Sequence, residues 1–229
     1  MTTGKRTRRS PDERRSEIVE AARKVFLERG YADVGLTEIA AAGDVSRGLV
    51  YRYFPAGRPD LYMAVAEGIL GELQERLRYA ASAPFSPAKR MEHLLAALFA
   101  FFQDQPAAFR FLFRDVWAAR DESIEAAAIA ARAPMAAEIA SLVAMAGPRS
   151  ADEVTATSVG ILGFALANIE LVLNQNADPE TAWRVTCSFA TAHLTKGPGN
   201  GSGSSPGNGA GAGSASGPSA ADSADSPSS

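Results

Sequence analysis

Hydrophobic positions along the chain recur at helical spacing, and the runs are separated by helix punctuation rather than by strand alternation. The first run opens on Ser10 and Glu13, an S-x-x-E capping box with Pro11 at the first helical position. It closes at Gly30, where a left-handed residue is expected just past the helix end. Between them Ile18, Ala22, Val25, Phe26 and Arg29 share helical spacing. A two-turn run, LTEIAAA, follows at Leu36; then come a turn through Gly43, Asp44 and Val45, and the stretch SRGLVYRYF from Ser46 to Phe54. A second helix of about two turns, a tight turn containing Gly and a third short helix predict a helix-turn-helix, whose third helix can lie in a DNA major groove. With Ser46 as its cap, Val45, Leu49 or Val50, and Phe54 face inward, leaving Arg47, Gly48, Tyr51, Arg52 and Tyr53 outside.

The rest of the chain to Lys196 predicts more helices. Leu61, Val65, Ile69 or Leu70, Leu73 and Leu77 mark an amphipathic helix joined directly to the N-terminal module. Pro84 and Pro87 separate it from KRMEHLLAALFAFFQDQ, and Pro106 breaks that helix before AAFRFLFRDVWAAR. Phe109, Leu112, Phe113, Val116 and Trp117 then form one stripe beside Phe99, Phe101 and Phe102. Such aromatic density fits either an ordinary core or an apolar ligand pocket between helices. On the second reading Phe99, Phe102, Phe109, Phe113 and Trp117 line the pocket and Gln103, Arg110 or Arg114 supply polarity.

The run DEVTATSVGILGFALANIELVLNQN is apolar nearly all round. Ile161, Phe164, Ala165, Asn168 and Val172 share one side, and Ala156, Gly160, Gly163 and Ala167 form a small-residue side that admits a close helix neighbour. Its uncharged core from Val154 to Ile169 is shorter than a membrane span requires. The next helix starts at Asp178-Pro179-Glu180 and places Trp183, Cys187, Ala190 and Leu194 on one stripe. Beyond Lys196 the Gly/Ser-rich sequence has no side chain able to bury enough apolar surface to offset ordering, and a disordered tail is expected. The expected organisation is a basic arm over 1–9, a DNA-binding module over 10–58, a helical domain over 59–195 and the tail over 196–229.

Charge sharpens this division. Residues 1–58 carry 12 Lys and Arg against 8 Asp and Glu, or +4; the remainder carries 11 against 18, or −7. A basic front on an acidic body points to a polyanionic partner for the front alone. Exposed arginine can grip guanine O6 and N7 or phosphate, and tyrosine hydroxyls bond phosphate. Lys5, Arg6, Arg8 and Arg9 form a basic arm suited to phosphates or a minor groove. Enzyme chemistry finds little footing: the two histidines, His93 and His193, stand apart, and no Cys/His cluster has metal-ligand spacing. No metal or cofactor is expected. The single cysteine, Cys187, reads as a small buried hydrophobe, and without a signal-like N-terminus a cytoplasmic protein is expected.

These motifs resemble the N-terminal domain of TetR-family transcriptional regulators: Phe26 and Arg29-Gly30-Tyr31, then LTEIA, then VSRGLVYRYF, then Leu61-Tyr62 with Ala64-Val65. The resemblance covers residues 10–67. It implies an all-α regulator with a helix-turn-helix domain and a helical effector-binding and dimerisation domain. It also implies DNA contacts at Ser46, Arg47, Gly48, Tyr51, Arg52 and Tyr53, with Thr37 beside them on the second helix. Three departures stand out: Val34-Gly35 replaces the usual Thr or Ser cap, Gly43-Asp44 replaces Ala-Gly in the turn, and PAGRPD is one residue longer than usual and is expected to present Arg58 to phosphate. The resemblance further implies that the last two helices pair with their copies in a homodimer, through Ala156, Gly160, Gly163, Ala167, Trp183 and Ala190. The expected function is a repressor that a small, largely apolar effector releases from a palindromic double-stranded operator. An architectural DNA binder without an effector, and a small-molecule binder with a degenerate DNA module, are the competing readings.

Overall fold

Capping and periodicity translate into ten α-helices and no strand among the described residues, 10–115 and 122–195 of this computed structural model. They are α1 (Pro11–Arg29), α2 (Leu36–Ala42), α3 (Arg47–Tyr53), α4 (Arg58–Ala81), α5 (Pro87–Asp104), α6 (Pro106–Phe113), α7 (Glu122–Ala130), α8 (Arg132–Met145), α9 (Ala151–Gln175) and α10 (Pro179–Thr195). The basic arm, the tail and Val116-Trp117 lie outside the described residues. At the start of α1 the Ser10 hydroxyl accepts the Glu13 amide at 3.1 Å and the Glu13 carboxylate accepts the Ser10 amide at 2.7 Å. Ser150 and Glu153 build the same reciprocal cap on α9. Gly30 ends α1 with positive φ, 85°, but with ψ at 159° rather than in the left-handed helical region. That combination is open to glycine and strained for any other residue.

The N-terminal core joins Ile18, Ala22 and Phe26 of α1 to Ile39 and Ala40 of α2, Val50 of α3, and Phe54. Val50 takes the inner position, with Leu49 half-buried; on α4 it is Ile69, not Leu70, that is fully enclosed. Helix α4 continues from this core into the larger bundle, where Leu73 and Leu77 are buried. The expected boundary at 58/59 falls within its first turn. Helix α5 packs against α4 and α10, and α9 packs between α8 and α10. Among the fully enclosed side chains Phe111 of α6 meets Tyr62 of α4 at 4.5 Å and Phe26 of α1 at 5.8 Å between ring centroids. The N-terminal module and the body therefore share one aromatic cluster.

Helix α9 is long and apolar enough to cross a membrane by length and composition alone. Its inner side, Ile161, Leu162, Ala165, Leu166 and Ile169, is held in the bundle. Cys187 sits in the same core, and burial pushes its thiol up to about 11, with Glu92 adding to the shift. A thiol held so far above neutral pH stays protonated and unreactive. Native protein at pH 7.5 is thus expected to resist alkylation by iodoacetamide, while unfolded protein labels readily. Rapid labelling of the native protein, followed by mass spectrometry, would contradict this environment.

Candidate nucleic-acid interface

Helix α3 is set by its turn. Gly43 closes α2 by donating its amide to Ile39 O at 3.0 Å, and a Cβ there would stand 3.2 Å from that of Ala21. The turn thus lies close on α1. Asp44 follows with φ 49°, Val45 donates its amide to Ala40 O at 2.9 Å, and Ser46 caps α3 by accepting the Leu49 amide at 3.2 Å. The start of α2 lacks a capping side chain at Gly35, and Glu38 compensates by accepting the Gly35 amide at 3.0 Å. That bond holds the Glu38 carboxyl below its ordinary range, with Arg29 contributing. Arg29 also pairs with Glu38 and donates to Asp33 O, so the loop between α1 and α2 is tied at both ends.

The expected DNA-facing residues divide into two groups. Thr37, Ser46, Arg47, Gly48, Tyr51 and Arg52 are exposed, and the guanidinium groups of Arg47 and Arg52 have no partner among the described residues. Two uncommitted cations on the exposed side of one short helix are what phosphate or guanine recognition needs. Tyr53 differs: it is half-buried and packs against the N-terminal core, so its ring is partly structural. Arg58 also departs from expectation. Its guanidinium lies over the Tyr31 ring at 4.4 Å and donates to Val34 O at 3.0 Å, turning inward rather than toward phosphate. The loop before it folds sharply at Gly57, φ 74°, where a Cβ would meet Leu36 Cδ1 at 3.0 Å and Tyr51 Cε1 at 3.3 Å.

Arg58→Ala is therefore expected to act on stability first. Loss of a cation–π contact and a charged hydrogen bond should cost about 1–2 kcal/mol and lower the melting temperature by a few degrees. The slope of DNA affinity against salt should stay the same. A slope flattened by about one would place Arg58 on phosphate after all.

Among the described residues, the expected effector residues are not gathered around one cavity. Phe102 contacts Phe109 and Phe113 with centroids 5.3 and 5.8 Å away, and Phe109 meets Phe113 at 5.2 Å. These rings are core. Arg110 points away from them and donates to Leu27 O at the end of α1, and Arg114 lies 3.6 Å from Glu170. Phe99 and Gln103 instead line an open groove of about 250 Å³ with Ala96, Ala100, Pro179, Glu180 and Trp183. Trp117 lies outside the described residues. Contacts that periodicity did not anticipate run between the module and the body: Arg23 grips both Glu72 carboxylate oxygens, at 2.5 and 3.1 Å, and donates to Gln105.

Of the expected dimer residues, Ala156, Gly160, Gly163 and Ala167 are exposed along α9 beside Val159 and Leu171. A Cβ on Gly160 or Gly163 would meet nothing within 4 Å. Ala190, by contrast, is wholly enclosed within the protomer and Trp183 is half-buried in the α5–α10 groove. Helical phase explains the correction: the stripe through Cys187, Ala190 and Leu194 faces the core, and Val185 lies on the exposed side of α10.

A cationic recognition helix on a three-helix module, carried by an all-helical body, defines a helix-turn-helix DNA-binding regulator. Residues 18–65 match the family described as bacterial regulatory proteins, tetR family. The chain is 26% identical over 189 residues to the HTH-type transcriptional activator FasR of Mycolicibacterium smegmatis, covering 82% of this chain and 85% of that protein. It is 31% identical over 94 residues to the HTH-type transcriptional regulator AcrR of Shigella flexneri, spanning 40% of this chain and 42% of that one. The fold is also that of a TetR-like transcriptional regulator from Rhodococcus sp. RHA1, with TM-score 0.62 and 18% identity over 82% of this chain and 98% of the other. Residues 18–65 thus carry a DNA-binding module of the tetR type, and the fold of the chain is that of TetR-like regulators.

Proposed function

We propose that the protein is a homodimeric repressor that grips a palindromic operator with α3 of each copy and is released by a small, largely apolar effector. The observation that carries the DNA contact is the outward face of α3: Arg47, Gly48, Tyr51 and Arg52 stand in solvent, and neither arginine has an internal partner among the described residues. Ser46 and Thr37 flank that face, and the basic arm over 1–9 adds phosphate contacts. The module over 10–58 reads DNA, the helices over 59–195 dimerise and bind effector, and the tail over 196–229 takes no part. Val159, Gly160, Gly163, Ala167 and Leu171 give α9 an exposed apolar stripe suited to a second copy rather than to lipid. With the chromosome as target, the protein works in the cytoplasm. The effector settles beside Phe99 and Gln103, the two expected ligand residues that reach a groove. A second reading, activation, is favoured by the likeness to FasR, named an activator, over most of both chains.

Selection of bound fragments from genomic DNA supplies the operator for the test. Arg47→Ala should weaken operator binding about tenfold or more and random DNA far less. Equal losses on both would remove base reading from Arg47. Transcription from a promoter carrying the operator then separates repression from activation, and wild-type protein that binds random DNA as tightly as any selected fragment would favour the architectural reading.

A further inference from the structure

The turn before α3 holds a carboxylate that the fold does not use. Asp44 has φ 49°, and Gly43 immediately before it sits at −90°, so the left-handed position falls on the aspartate and not on the glycine. Glycine takes this conformation without steric cost, and asparagine tolerates it as aspartate does. Conformation alone therefore does not call for a charge. The Asp44 side chain is exposed, and its carboxylate has no hydrogen bond or ion pair among the described residues. It stands three residues ahead of the free cation Arg47, at the end of α3 that enters a groove first. Seating α3 on DNA brings this uncompensated negative charge up to a polyanion.

We infer that Asp44 is a selectivity determinant, which weakens attachment to the phosphate backbone of any sequence and so widens the gap between operator and random DNA. Sequence-independent binding is held almost wholly by phosphate attraction, and a like charge subtracts from it directly. In the operator complex the base contacts of α3 hold the helix in the groove, where a carboxylate faces the exocyclic amino groups of cytosine or adenine as well as phosphate. The same charge then costs less. The inference rests on the reading that α3 meets DNA.

The test compares wild type, Asp44→Asn and Asp44→Gly on a genomically selected operator fragment and on a random duplex of equal length, across a salt series. Asp152→Asn, at the start of α9, controls for net charge. Both Asp44 variants should bind random DNA about threefold more tightly per protomer at low salt, with the difference fading as salt rises. Operator binding should change less, so the operator-to-random ratio falls. An unchanged or increased ratio, a fall in only one of the two Asp44 variants, or the same fall in Asp152→Asn would overturn the inference. A wild-type protein that selects no fragment above random overturns the DNA reading itself, before any variant is compared.

Discussion

Gly163→Leu is expected to shift the protein from dimer to monomer in sedimentation and to cost operator affinity, with helix content unchanged. Within the protomer a Cβ at position 163 would meet no atom within 4 Å, so leucine has room there. Leucine is also the better helix former by most of a kilocalorie, about 0.8 kcal/mol, so the isolated protomer should melt no lower. The penalty arises only where a second copy presses its own α9 against this face. Across a two-fold axis the substitution acts twice at one contact, and overpacking at about 1–3 kcal/mol per site weakens association about thirtyfold to ten-thousandfold in all. Operator affinity should fall with it, because one α3 alone holds a single half-site. A variant that remains dimeric with wild-type operator affinity would remove Gly163 from the interface. A variant that loses helix content would contradict the open space around the glycine.

Local rules in the sequence carried most of the N-terminal module. The Ser10–Glu13 box, the Ser46 cap and the inward Phe54 are short-range consequences of residue type, and each stands where spacing placed it. Arg58 was misplaced for an equally physical reason. A cation in a Gly/Pro loop next to a DNA-binding helix reads as phosphate-facing, and only the folded chain reveals Tyr31 and Val34 O within its reach. Arg110 repeats the case: beside the Phe109–Phe113 stripe it reads as a polar group for a pocket, but the carbonyl of Leu27 that it meets lies far away in sequence.

In the body, helical periodicity placed the inner face of α4; on α9 it caught Ile161 and Ala165 but set Phe164, Asn168 and Val172 inside where Leu162, Leu166 and Ile169 are buried, and it could not tell a packed aromatic layer from a pocket. Phe102 meets Phe109 and Phe113 edge-on and those two rings pack tilted, a tertiary outcome that i, i+3, i+4 spacing leaves open. Helices α7 and α8, over 122–145, left a weak signature because the sequence there is rich in alanine and α8 starts at Ala131, which has no side chain to cap with. The Trp183, Cys187, Ala190 and Leu194 stripe was legible as a stripe. Whether it faced its own protomer or a partner depended on where α5 packs, and the burial of Ala190 answers that for the core.

Gly48→Ala should make the protein more stable and a worse regulator. Glycine inside a helix costs about 1 kcal/mol relative to alanine, so a glycine at the second position of a seven-residue helix calls for a reason. The chain itself supplies none. Gly48 has no positive φ, it is exposed, and a Cβ built on it finds nothing nearer than Ser46 Oγ at 4.0 Å. Alanine should therefore raise the melting temperature by about 2–4 °C. The reason for glycine then lies outside the chain, at the surface that Arg47 and Arg52 flank. A recognition helix seated in a groove brings backbone within contact distance of base edges, and an added methyl holds it off, lengthening every hydrogen bond the neighbouring side chains make. A loss of about tenfold to a hundredfold on the operator is expected, with random duplex little affected because phosphate contacts tolerate the displacement. Calorimetry and binding titration on the same preparation give both numbers. Higher stability combined with undiminished operator affinity would show that α3 does not approach DNA through Gly48.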